Sequence, residues 1–150
     1  MGAPYEYTIK NIQQKYQLDF VALAVIENEL VDYRIKWKYA VGNCSERLKK
    51  LVLKPGKGVA GIVFKTGKPM YIENVQEEIP VTDLFSYPII ISERLESFCA
   101  LPLYRDNKVQ GVALLGYRTA NKMTPELYDK IKYNLEEDFP NFYRKEMAKF

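Results

Sequence analysis

One stretch limits the fold more than any other. Val31, Tyr33, Ile35, Trp37, Tyr39 and Val41 alternate with Asp32, Arg34, Lys36, Lys38, Ala40 and Gly42. Successive side chains of a strand point to opposite faces, so a period of two over this length predicts a half-buried strand, with Trp37 on its inward face. Just upstream, Phe20–Ile26 is a continuous apolar run and reads as a buried strand. The polar Glu27–Glu29 between the two predicts a hairpin turn. A hairpin commits this half of the chain to antiparallel pairing.

The other segments extend that pattern. Tyr5, Ile9, Ile12 and Tyr16 have amphipathic-helix spacing over Tyr5–Tyr16. After the polar stretch Cys44–Lys50 and the short apolar run Leu51–Leu53 comes the turn Pro55-Gly56-Lys57-Gly58. A short helix is predicted over Val59–Thr66, closed by Gly67, with Pro69 preventing continuation. Met70–Val75 reads as a strand, and Thr82–Glu96 mixes helical character with a break at Pro88. Phe98–Tyr104 and Val109–Tyr117 read as two strands joined at Asp106-Asn107. Thr124-Pro125-Glu126 opens a last helix with an N-cap, a proline at the first helical position and an acid in the first turn. Ile131, Leu135 and Phe139 give that helix its apolar stripe; Pro140 ends or kinks it, and Phe142–Phe150 resumes as a short helix. Hairpins at both ends of the order imply an α+β fold, a mainly antiparallel central sheet flanked by helices. At 150 residues, with no repeat or linker, the chain reads as one domain, residues 1–150.

Composition excludes several chemistries. There is no histidine, so Ser–His and Cys–His nucleophile pairs, histidine-ligated haem and His-based metal sites are ruled out. Cys44 and Cys99 are too few for a disulfide framework or a structural zinc site. A net charge of +3, with scattered basic residues, argues against a nucleic-acid footprint. No apolar run is long enough to cross a bilayer, and no signal-peptide pattern opens the chain. The expectation is a cytoplasmic protein without metal or cofactor.

The segment Gly56-Lys57-Gly58-Val59-Ala60-Gly61-Ile62-Val63-Phe64-Lys65-Thr66-Gly67-Lys68-Pro69 resembles the central signature of GAF domains. So do Ile72-Glu73-Asn74-Val75, Ser97-Phe98-Cys99-Ala100-Leu101-Pro102-Leu103 and Gly111-Val112-Ala113-Leu114-Leu115-Gly116, in family order over roughly Asp19 to Tyr117. Ile35-Lys36-Trp37, the Gly56–Gly61 turn, Tyr87-Pro88-Ile89-Ile90 and Gly116-Tyr117-Arg118 carry a narrower resemblance. They are similar to the stand-alone GAF nitrate receptors of the bacterial Nre nitrate-regulation system. That resemblance implies a sensory rather than an enzymatic protein. It would hold nitrate and control a sensor histidine kinase of a two-component system, inhibiting the kinase when empty and releasing it when nitrate binds. Carried over residue by residue, it implies nitrate ligands at the backbone amides of Val59, Ala60 and Ile89 and at the Trp37 indole, with Tyr87 and Pro88 as walls.

The residue types suit a monoanion. The first amides of a helix have no partner within it, and its dipole favours negative charge there. An indole N–H donates and cannot accept. Neutral donors can offset the desolvation of a diffuse monoanion, whereas burying a second charge costs far more. The alternatives are another small effector, or a GAF domain used only for protein interaction. A further rival is the GAF-type free methionine-R-sulfoxide reductase. Its cysteine position after Gly-x-Gly-hydrophobic is Ala60 here, and Tyr87–Glu96 has no cysteine. The aromatic tail Phe139, Phe142, Tyr143 and Phe150 leaves open a homodimer, a kinase contact or packing on its own domain.

Overall fold

In a computed structural model, residues 3–28 and 33–143 are described. Helix α1 spans Ala3–Tyr16, followed by strands β1 (Phe20–Asn28) and β2 (Tyr33–Val41), a 3-10 turn (Arg47–Lys50) and β3 (Val52–Leu53). Helix α2 (Gly58–Thr66), β4 (Met70–Ile72), α3 (Val75–Glu78), a second 3-10 turn (Val81–Ser86) and α4 (Pro88–Ser92) follow. Strands β5 (Ser97–Arg105) and β6 (Lys108–Tyr117) precede α5 (Pro125–Tyr133), α6 (Leu135–Asp138) and α7 (Pro140–Tyr143). The strands form one six-stranded sheet in the order β3-β2-β1-β6-β5-β4, antiparallel at every pairing. The α+β expectation holds.

Helices cover both faces of the sheet, which is why β1 and β5 read as unbroken apolar runs. Phe20, Ala22, Ala24, Phe98, Ala100, Val112 and Leu114 point to one cluster, with α2, α3 and α4. Val21, Leu23, Cys99, Leu101, Leu103, Ala113 and Leu115 point to the other, with α1 and α5–α7. Alanines at 22, 24 and 100 make the first face shallow, so α2 packs close against β5 and β6. The β5–β6 hairpin turns at Asp106-Asn107, both at positive φ (55° and 64°), as a two-residue primed turn requires.

Several expectations are corrected. In β2, Ile35 and Trp37 face the α2 side, but Tyr39 and Val41 pack into the opposite cluster. The register shifts between Leu23 and Ala24, which pair with Tyr39 and Trp37; Lys38 is the extra residue of a bulge, and one extra residue exchanges the faces. Glu27 belongs to β1 rather than to a turn, while Glu29, Val31 and Asp32 lie outside the described residues. The strand expected over Met70–Val75 stops at Ile72. Asn74 there accepts from the Glu77 amide and caps α3, while the Glu78 carboxylate accepts from the Glu73 and Asn74 amides. Pro88 opens α4 as its first residue instead of breaking a helix. The last helix begins as expected, with Thr124 accepting from the Leu127 amide, but pauses at Asn134. Of the aromatic tail, Phe139 and Phe142 are buried within their own domain and Tyr143 packs beside them; Phe150 lies outside the described residues.

Candidate functional site

The turn before α2 is built on two glycines. Gly58 has φ +69°, a conformation that side chains resist. At Gly61 a Cβ would stand 2.3 Å from the Lys54 carbonyl oxygen, so only glycine lets the turn lie across the helix. The turn is closed by Gly56 N–H donating to the Gly61 carbonyl at 2.8 Å and by Lys57 N–H donating to that of Lys54 at 2.9 Å. Lys57 stands at the N-cap and offers no side-chain cap. The first-turn amides, those of Val59 and Ala60 among them, therefore have no side-chain acceptor and no carbonyl one turn back.

Trp37, Val59, Ala60 and Ile89 all lie in the cluster between the sheet and α2/α4, each no more than 2% exposed. Tyr87 packs against the same cluster, half-buried. Pro88, also half-buried, starts α4; as it has no N–H, the Ile89 amide is the first donor of that helix. Tyr87 makes no side-chain cap bond there. The structure thus brings Trp37, Val59, Ala60, Ile89 and Tyr87 into one cluster from β2, α2 and the start of α4, with Pro88 next to it in the chain.

Among the described residues, the buried side-chain atoms without a partner are Trp37 Nε1, Ser92 Oγ and Glu93 Oε2. All three sit on β2 or at the end of α4, the elements that carry Trp37 and Ile89. An unpaired buried donor costs roughly 1–3 kcal/mol, which an acceptor placed against it would relieve.

Beside this buried cluster opens a cleft of about 420 Å³, lined by Leu53, Gly56, Lys57, Gly58 and Ile62 from one segment and Phe85, Ser86, Tyr87 and Pro88 from another. Trp37, Val59, Ala60 and Ile89 do not line it. Gly58 and Pro88, which line the cleft, are the chain neighbours of the buried Val59 and Ile89.

Sequence reasoning quoted Arg118 without giving it a role. Its guanidinium donates to the Glu93 carboxylate Oε1 (2.9 Å), the Glu93 carbonyl (2.9 Å) and the Gly42 carbonyl (2.9 Å). Glu93 is fully buried, and its Oε1 also accepts from the Cys44 amide at 2.7 Å. This cluster ties the end of α4 to the end of β6 and to the loop leaving β2. Cys44 is exposed and Cys99 buried in β5; neither lines the cleft. Among the described residues no group of His, Cys, Asp and Glu side chains could hold a metal, and no helix is long and apolar enough to cross a membrane.

No family model matches the chain, and no curated protein matches it. Solved structures do. One is the NreA protein of Staphylococcus aureus, mutated in its nitrate binding site. It is 39% identical, with a TM-score of 0.73 over 77% of this chain and 83% of that one. The GAF domain of an Acinetobacter phosphoenolpyruvate-protein phosphotransferase is 16% identical, with a TM-score of 0.69 over 97% of this chain and 82% of that one. The free methionine-R-sulfoxide reductase of Neisseria meningitidis is 14% identical, with a TM-score of 0.67 over 92% of this chain and 74% of that one. The last two likenesses concern the fold, which is the GAF fold.

Proposed function

This chain belongs to the NreA family of GAF proteins, and on that premise we propose that it is a nitrate receptor controlling a sensor histidine kinase. One observation carries the proposal. The Trp37 indole N–H is buried without an acceptor, in the cluster that holds the uncapped start of α2 and the first donor of α4. Nitrate would accept from the Val59, Ala60 and Ile89 amides and from Trp37, with Tyr87 and Pro88 closing over it. A planar monoanion suits several neutral donors, each contributing roughly 1.5–3 kcal/mol to a charged acceptor. A dianion would leave its second charge buried and unpaired.

The proposed role is binding and signalling, not turnover. Ala60 occupies the place at which the sulfoxide reductases carry a cysteine. Empty receptor inhibits the kinase and nitrate releases it. Calorimetric titration with nitrate, sulfate and phosphate at constant ionic strength tests the ligand, and sulfate binding as tightly as nitrate would refute it. Kinase autophosphorylation with receptor present, with and without nitrate, tests the output. Inhibition indifferent to nitrate, in a receptor that binds it, would refute the control mechanism.

A further inference from the structure

We propose that the cleft beside the anion cup is a docking groove for an acidic segment of the partner protein, anchored by an apolar side chain. Size is the first argument. A water molecule takes about 30 Å³ of liquid, so a four-atom anion fills a small part of about 420 Å³. The buried residues proposed to hold the anion do not line the cleft. The groove therefore suits a second, larger occupant.

Its chemistry is two-sided. Leu53, Ile62, Phe85 and Pro88 give it an apolar lining. Phe85 is 82% exposed, and Ile91, one turn beyond Pro88, is 48% exposed, so apolar surface continues outside the groove. A small ligand is ordinarily enclosed over most of its surface. An exposed aromatic at a groove rim with apolar surface beyond it is instead the arrangement of a protein interface.

The lip opposite Phe85 also carries cations. Lys57 lines the cleft, and Lys65 lies back along the turn, its Nζ 3.6 Å from where a Gly56 side chain would begin. Among the described residues neither has a carboxylate within ion-pair distance. The basic residues are denser in one stretch than elsewhere in the chain. Between Tyr33 and Ile72 there are ten Lys or Arg and one carboxylate, Glu46, although the whole chain is only +3. The elements of this stretch include β2, β3 and α2, so the α2 wall is the basic side of the groove, while the facing 3-10 turn carries Asp83; an acidic side chain is drawn to the α2 wall.

Gly58, Tyr87 and Pro88 line the groove and adjoin the anion donors, so both occupants bear on the same backbone. This coupling rests on the nitrate reading; the docking itself does not. By linkage, a partner weakened by nitrate weakens nitrate by the same factor.

The test uses the whole chain and the full-length kinase. With Phe85→p-benzoylphenylalanine, irradiation should cross-link a kinase segment that carries Asp or Glu beside apolar residues. The same photoprobe at Tyr133, 90% exposed on α5, should give no cross-link. Phe85→Ser should weaken kinase binding by about ten-fold or more, as expected for an aromatic anchor. Its nitrate affinity should stay within about two-fold, since Phe85 is a surface residue outside the cup. Lys57→Glu should also weaken kinase binding, and the loss should shrink at high salt. Kinase affinity of Phe85→Ser within about two-fold of the wild type, cross-linking through position 133 instead, or no kinase binding by the wild type overturns the groove. A wild type that binds kinase through Phe85 but does not bind nitrate refutes the nitrate reading alone.

Discussion

Trp37→Phe separates the two roles open to the indole, because it keeps the aromatic body and removes one N–H. In the ligand-free protein two effects oppose. Trp37 is 1% exposed, so the smaller ring loses contacts, a fraction of the roughly 3–5 kcal/mol that full truncation to Ala costs. The same change removes a buried donor that has no acceptor, relieving about 1–3 kcal/mol. The stability of the free protein should therefore move little. In the bound protein a hydrogen bond to a charged acceptor is lost, roughly 1.5–3 kcal/mol, or about ten- to hundred-fold in affinity. The thermal consequence follows by mass action. At nitrate near 100 times its Kd, the wild type gains about 2.7 kcal/mol, and a variant ten-fold weaker gains about 1.4 kcal/mol at the same concentration. For a domain of this length each kcal/mol is about 2–4 °C, giving nitrate shifts of about 5–11 °C against about 3–6 °C. Calorimetry and thermal melts read both numbers. A folded variant with wild-type nitrate affinity would show that the indole is core and that the proposed shell is wrong.

Further predictions concern the thiols and the buried ion pair. Burial raises the Cys99 thiol well above the usual cysteine range, whereas Cys44 is exposed. A thiol reagent should label Cys44 in the folded protein and Cys99 only after unfolding, and rapid native labelling of both would contradict the packing of β5. The double variant Cys44→Ser, Cys99→Ala should bind nitrate normally; free methionine sulfoxide reduction that disappears in it would establish an enzyme instead. Arg118→Ala leaves the buried Glu93 carboxylate with the Cys44 amide alone, which should cost about 3–5 kcal/mol in urea unfolding. Arg118→Lys should recover only part of this, since one ammonium cannot reproduce the planar fork that reaches Glu93 and Gly42; a loss below about 1 kcal/mol in Arg118→Ala would refute a structural role for the pair.

What could be read from residues alone depended on how local its cause was. The β5–β6 hairpin was legible because Asp106 and Asn107 tolerate positive φ, and α5 because Thr124 and Pro125 mark a helix start locally. The end of β4 was written in the same code, Asn74 with Glu77 and Glu78 after it, but the preceding apolar residues read as a longer strand. The bulge at Lys38 had no local mark: Tyr39 and Val41 are apolar on either face, so alternation could not reveal which face they join. The residues proposed to hold nitrate were reached through motif resemblance. That Trp37 shares a buried face with Ile35 was legible from the period, but which cluster that face joins and its lack of an acceptor were not, because both depend on everything packed opposite. Glu93 and Arg118 meet only because the end of α4 lies beside the end of β6.

The elements that converge on the cup differ in how easily they yield. Strand β2 is bonded on both sides, to β1 and β3, and α2 is seated against β5 and β6. Helix α4 has five residues, with Ile89 and Ile90 in the core and its far end fixed by Arg118; the 3-10 turn before it, Val81–Ser86, has no buried residue, and its Val81 and Phe85 are 77% and 82% exposed. Segments with few buried apolar contacts open at the lowest free energy. An anion bridging Trp37, α2 and Ile89 would therefore draw on the near end of α4 rather than on the sheet. That near end is Tyr87-Pro88, which also lines the cleft. On the proposed reading, a displacement caused by a monoanion would be directed to the wall a partner would touch, and linkage would fix its sign: a partner released by nitrate would have to hold Tyr87-Pro88 away from the position the anion favours.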